Sequence, residues 1–188
     1  GILVTRADGP VVAQVFKTTA DPFVGRLTFL RVLSGALTAD AHPHNVQRGE
    51  GERLGHLYLQ RGKEQVEVSE LAAGDIGVAA KLQHTLTGDT LVGSEAEAAR
   101  VAAIPLPVPT YRTAIHPLTK SDVDKLSTTL ARIQEQDPTI HVGRDPDTAE
   151  LVMLTLGEAQ VSDVAARLAQ NFGVDVEMAL ARVPYRET

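Results

Sequence analysis

Six histidines, a scatter of carboxylates and no cysteine are what this 188-residue chain offers to catalysis or metal binding. His42 and His44, in "AHPHN", are spaced to face one ion, but Pro43 stands between them and no third ligand is near, so the pair reads as a solvated loop. His56, His84, His116 and His141 stand singly and read as partnered or exposed side chains. The acidic run "RDPDTAE", Arg144 to Glu150, lacks the ligand spacing of a calcium loop and reads as a hairpin turn. Ser, His and Asp occur without a nucleophile turn, and no Gly-rich loop ending in Lys and Ser or Thr is present to cradle phosphates. No catalytic, cofactor-binding or metal-ligating residue is assigned. The densest basic group is Arg48, Arg53, Arg61 and Lys63, on two adjacent predicted strands and their turn. It reads either as a solubilising surface or as an edge for RNA phosphates.

Composition narrows the field. A net charge of −6 argues against coating nucleic acid by bulk electrostatics, DNA included. Aromatic residues make up 4% with no Trp, too few for base-stacking platforms. The absence of cysteine excludes disulfides and suits a cytoplasmic setting. The longest apolar runs, such as Ile76 to Ala80, are too short to span a bilayer, so no membrane partner is expected. The opening "GILVTRADG" has no signal-peptide pattern and no initiator Met, which predicts a fragment of a longer protein.

The elements that must position any site fall into two sets. Over residues 1–103, "GPVVAQVFKT", "GRLTFLRVLSG", "ERLGHLYLQ", "EQVEVSEL" and "GDIGVAAKL" are short Val/Leu/Phe-rich strands set off by Gly and Asp. Strands at this spacing without helices predict a small β-barrel. In "RLTFLRV" the expectation is Leu27 and Phe29 inward, with Leu30 or Val32, and Arg26, Thr28 and Arg31 outward. Ser94–Val101 offers one helical turn at most. "IPLPVP", residues 104–109, has prolines at alternate positions and predicts an extended linker.

Residues 110–182 change period. "TYRTAIH" is a strand, and Val123, Leu126, Leu130 and Ile133 then mark one face of a helix capped by Thr119 or Ser121 and stopped by Pro138. "TIHVGR" and "AELVMLTL" are strands. Val161, Val164, Ala165, Leu168 and Phe172 line a second helix closed by Gly173, and "VDVEMALARV" is a last strand. The order β-α-β-β-α-β is that of a ferredoxin-like α+β sandwich.

In that order the residues resemble the elongation factor G family of bacterial translation. "KTTADPFVGRLTFLRVLSG" and "AGDIGVAAKLQHTLTGDTL" are similar to parts of its domain II, a β-barrel of the translation-factor type. "PLTKSDVDKLSTTLARIQEQDP" and "LGEAQVSDVAARLAQNFGV" are similar to the two helices of its domain III, and "VPYRET" to the passage into domain IV. Residues 183–188 are accordingly expected to begin a further, truncated domain. The sequence departs from the family pattern in two places. In "VQRGEGERLG", Glu50 and Gly51 stand where two basic residues are usual, and in "GEAQVS", Gln160 and Ser162 replace a His and a Glu. These departures point to a divergent elongation-factor-G-like paralogue.

The resemblance implies a parent that hydrolyses GTP with Mg2+ on the ribosome, the nucleotide held by a preceding GTPase domain and none of it by this segment. It implies partners in the small-subunit RNA and protein, in that GTPase domain and in the distal domains. The loop Asp21, Pro22, Phe23, Gly25 and Arg26 would be a contact edge, or simply a turn shaped by Pro22 and Gly25. Gly157, Glu158 and Gln160 would help relay nucleotide state between domains. The alternative is a stand-alone RNA- or protein-binding module whose sandwich holds a small regulatory ligand.

Overall fold

Val- and Leu-rich stretches bounded by glycine and aspartate become ten antiparallel strands among the described residues of the first unit. These are β1 (Val12–Asp21), β2 (Gly25–Ser34), β3 (Ala36–Thr38), β4 (His44–Asn45), β5 (Glu50–Gly51), β6 (Leu57–Arg61), β7 (Glu64–Val68), β8 (Glu70–Ala72), β9 (Ile76–Ala80) and β10 (Thr90–Val92). The computed structural model describes residues 6–21, 24–96 and 99–183, and the chain divides into Gly1–Ile104 and Pro105–Thr188. Eight strands form one sheet in the order β5-β4-β10-β1-β2-β9-β6-β7, while β3 pairs with β8 alone. Together they make the barrel-like body that the sequence predicts. Its core gathers Val15, Leu30, Val32, Leu37, Leu54, Leu57, Leu71 and Leu91, all buried. Each such side chain contributes about 1.5–3 kcal/mol by leaving water.

Along β2 the expectation holds for Leu30 and Val32, which are buried, and for Arg31, which is exposed, but fails for Thr28 and for the facing of Leu27 and Phe29. Thr28, Leu30 and Val32 are buried, the two aliphatics within the main core, whereas Leu27 and the half-buried Phe29 join a second cluster with Val78 and Ala80 on the outer face. The cause is the central place of β2, between β1 and β9, where both faces are covered and polarity no longer reports the face. Thr28 Oγ1 is left without a hydrogen-bond partner. A register shift between Val15 and Lys17 leaves Phe16 bulged, its ring centroid 6.3 Å from that of Phe29. The Lys17 ammonium lies 5.4 Å over the Phe29 ring.

One further difference concerns extent. The stretch "ERLGHLYLQ" is a strand only from Leu57, because Glu52–His56 is a loop held by side-chain bonds described below. Ser94–Val101 contains no helix among its described residues.

The second unit comprises β11 (Tyr111–Pro117), α1 (Lys120–Gln136), β12 (His141–Arg144), β13 (Leu151–Thr155), α2 (Glu158–Phe172) and β14 (Val176–Leu180), the predicted β-α-β-β-α-β order. Its antiparallel sheet runs β12-β13-β11-β14. Thr119 and Asp122 form a reciprocal capping box at the start of α1, each side chain accepting from the other's backbone N–H. Leu126, Leu130 and Ile133 are buried, but Val123, expected beside them, is 52% exposed because the apolar stripe extends past what the helix covers. Gly173 ends α2 at φ 60° and donates to Ala169 O. Residues 184–188, the expected start of a further domain, lie outside the described residues, as do Pro22 and Phe23.

Gly35 is the position where a side chain is least tolerable. Its φ is +69°, and a Cβ there would stand 2.7 Å from Gly9 O, against backbone that cannot swing away. Gly35→Ala is expected to cost on the order of 2 kcal/mol in urea unfolding, while Gly55→Ala, in open space, stays within about 0.5 kcal/mol.

Candidate nucleic-acid interface

The loop after β9 is the organising feature of one rim of the barrel. The Glu52 carboxylate, buried, accepts the backbone N–H groups of Gln83, His84 and Thr85 at 3.0, 2.7 and 2.8 Å, and the Thr85 hydroxyl at 2.8 Å. Thr85 Oγ1 in turn accepts from Asn45 Nδ2 at 3.1 Å, and the same amide donates to Asp89 at 3.0 Å. Arg48 closes the chain with a two-pronged pair onto Asp89, Nε at 3.0 Å and Nη2 at 3.2 Å. Asn45 Oδ1 holds the Gln47 and Arg48 backbone N–H groups at 3.1 Å. Glu52, Thr85, Asn45, Asp89 and Arg48 thus make one continuous network in which the buried members are satisfied.

The four basic candidates do not share a place. Arg48 is committed to Asp89. Arg53 follows Glu52 directly and is exposed, at the end of the barrel where β6 begins. Arg61 and Lys63 sit at the tip of the β6–β7 hairpin, with Arg61 opposite Glu64. Leu57 and Arg61 bound β6, so the tip lies about 13 Å along the strand from its start.

Arg53 instead keeps other company. Lys81 N donates to Arg26 O at 2.8 Å, Arg26 Nη1 donates to Gln83 O at 3.0 Å, and Ala80 N bonds His56 O. One rim therefore collects Arg26, Arg53, Lys81 and His84. The side chains of Arg53 and Lys81 are exposed and make no ion pair among the described residues. Lys81 holds φ 62°, the left-handed region, where the chain reverses out of β9. Sequence reading missed Lys81; its place after a strand and before the Glu52-bound loop was the available signal. The Asp21–Gly25 turn belongs to the same rim, with Asp21 accepting the Val24 N–H at 2.8 Å and Gly25 at φ 90°. Its Arg26 is thereby brought to Lys81 and Gln83, which sequence distance conceals.

In the second unit Gly157 caps α2 through its backbone alone, Glu158 is exposed in the first turn, and Gln160 is a connector. The Gln160 amide accepts from Leu156 N at 2.8 Å and donates to Asp137 at 2.7 Å and to Thr139 Oγ1 at 2.9 Å. It ties the start of α2 to the end of α1. Burial opposes ionisation of Asp137, yet hydrogen bonds from Thr139 and Gln160 and the charge of Arg167 outweigh it and hold the carboxyl below its ordinary value. The acidic run after β12 closes as a turn: Asp145 accepts from the Asp147 and Thr148 backbone N–H groups and pairs with Arg112. Those bonds, Thr148 N–H foremost, hold its carboxyl low as well.

Comparison with known proteins places both units. Residues 10–94 match the family model of elongation factor G domain 2, and residues 106–180 that of elongation factor G, domain III. The chain belongs to the elongation factor G family. An elongation factor G-like protein of Thermotoga maritima is 39% identical over 181 residues, 95% of this chain and 26% of the relative. A crystal structure of a Thermus thermophilus protein superposes with a TM-score of 0.82 at 35% identity, over 95% of this chain and 27% of that one. The chain thus spans about a quarter of the length of these relatives. The barrel and sandwich are elongation-factor-G-like domains II and III in sequence order.

The network behind the rim sets a first expectation. Glu52→Ala strands three backbone donors and is expected to cost at least about 3 kcal/mol in urea unfolding, whereas Lys81→Ala on the same loop stays within about 0.5 kcal/mol. A second concerns acid. Because Asp137 is more acidic folded than unfolded, its contribution is present above the ordinary carboxyl value near 3.9 and is lost as pH falls through the lower folded value. The stability gap between the native chain and Asp137→Asn, measured by denaturant titration, is therefore expected to be wide at neutral pH and to narrow below about pH 4.

Proposed function

We propose that this chain is the docking and relay portion of a cytoplasmic translational GTPase. The barrel rim bearing Arg26, Arg53, Lys81 and His84 meets the phosphates of small-subunit ribosomal RNA. Asp21, Gly25 and Arg26 border that contact toward ribosomal protein or the GTPase domain. Arg61 and Lys63, at the hairpin tip, are outlying charges that steer the encounter. Gly157, Glu158 and Gln160 carry nucleotide-dependent rearrangement from the GTPase domain toward the distal domains.

The observation that carries the reading is the pairing of a rigid base with unpaired cations. Glu52 fixes the 83–85 backbone, while Arg53 and Lys81 stand exposed beside it with no carboxylate partner among the described residues. A cation already positioned meets a phosphate with little ordering left to lose. The net charge of −6 keeps such binding local.

Nucleotide binding is a different matter. GTP phosphates favour helix N-termini with free backbone N–H groups. Here α1 opens with Asp122 in a capping box and α2 with Glu158, so both first turns present a carboxylate to an incoming phosphate. The residues present do not fit the nucleotide, and hydrolysis belongs to the parent's GTPase domain.

The test is sedimentation of the chain with purified small ribosomal subunits over a salt series. Binding is expected at low salt, with Arg53→Ala/Lys81→Ala weakening it roughly tenfold and lowering the salt slope by about one to two counterions. Arg61→Ala/Lys63→Ala should change affinity less than threefold. Absence of binding at low salt, or loss confined to the hairpin pair, would sink the rim assignment.

A further inference from the structure

The second unit carries a cleft that neither the rim nor the helix joint uses. It lies between one face of α1, from Val123 to Gln134, and parts of β11, β12 and β13, with a volume of about 630 Å3. That size is within the range of small-molecule pockets. Its floor is apolar: the partly exposed Val142 and Leu151 lie over the buried Ile115, Leu126 and Leu130, and Val123 extends this surface at the mouth, where it is 52% exposed.

The ionisable side chains on the lining are His116, Arg144 and Glu150, and the last two are unequal. Glu150 is occupied: its carboxylate accepts the Arg182 backbone N–H at 3.0 Å and lies 3.3 Å from Arg182 Nε. Arg144 is exposed and donates one N–H to Ala149 O at 3.2 Å, and it has no carboxylate partner among the described residues. The cleft therefore offers an anion a planar guanidinium with donors to spare, beside a wall that favours hydrocarbon. A cationic ligand would be repelled at Arg144. A purely apolar one would leave that charge unanswered.

We propose that this cleft binds a small amphipathic carboxylate, its hydrocarbon on Val123, Val142 and Leu151 and its carboxylate on Arg144. The probe is decanoate, titrated calorimetrically into the full chain, with decanol as its uncharged counterpart. One saturable site is expected for decanoate, with decanol at least about tenfold weaker. Arg144→Gln should bring decanoate down to the affinity of decanol and leave decanol unchanged. Val123→Trp, which fills the mouth from an exposed position, should abolish both while circular dichroism and Tm hold. No saturable heat tighter than about 1 mM would overturn the proposal. So would equal binding of the two probes, several sites per chain, or decanoate binding that survives Val123→Trp in a folded protein.

Discussion

A single buried carboxylate organises one rim of the barrel. A carboxylate removed from water must be repaid by donors, and Glu52 finds four, three of them consecutive backbone groups of one loop. Those bonds fix the path by which the chain leaves β9 and returns to β10. Everything on that rim is then located by it, from the left-handed Lys81 to the Arg26 carbonyl that Lys81 holds. Asn45 and Asp89 extend the same ordering to Arg48 and so enlist a cation as structure.

The second unit reaches rigidity by other means. Its helices are begun by a side-chain cap at Thr119 and by bare backbone at Gly157, and their apolar stripes cover one face of a four-stranded sheet. Where the stripe of α1 outruns its cover, a cleft opens; where the helix ends approach, a polar joint fills the space. In the barrel, interior packing leaves little choice of face, whereas here a helix face can be partly spent on something else.

The contrast explains what was legible. The two helices, their stops at Pro138 and Gly173, and the element order of the second unit follow from period and capping, which are local properties of the chain. The longer barrel strands were legible for the same reason. Two-residue strands such as His44–Asn45 and Glu50–Gly51 were not, since they exist only through pairing with distant segments. The facing of Thr28 was misjudged because polarity reports solvent only where one side of a sheet is wet. Among site residues, the basic group looked continuous along the chain, yet Arg48, itself exposed, is bound to Asp89 and the hairpin tip stood apart. The rim was assembled by contacts between residues tens of positions apart, such as Arg26 with Gln83. Nothing in the sequence near Arg53 announces them.

Gln160 has one more consequence. The joint between the helices is built from an amide, a hydroxyl and a carboxylate already held ionised, and none of these changes charge near neutrality. The family pattern quoted above has a histidine at this place, and an imidazole would gain and lose a proton between about pH 5 and 8. With glutamine there, the joint is deaf to the acidity of its surroundings: its bonds at mildly acidic pH are those at mildly alkaline pH.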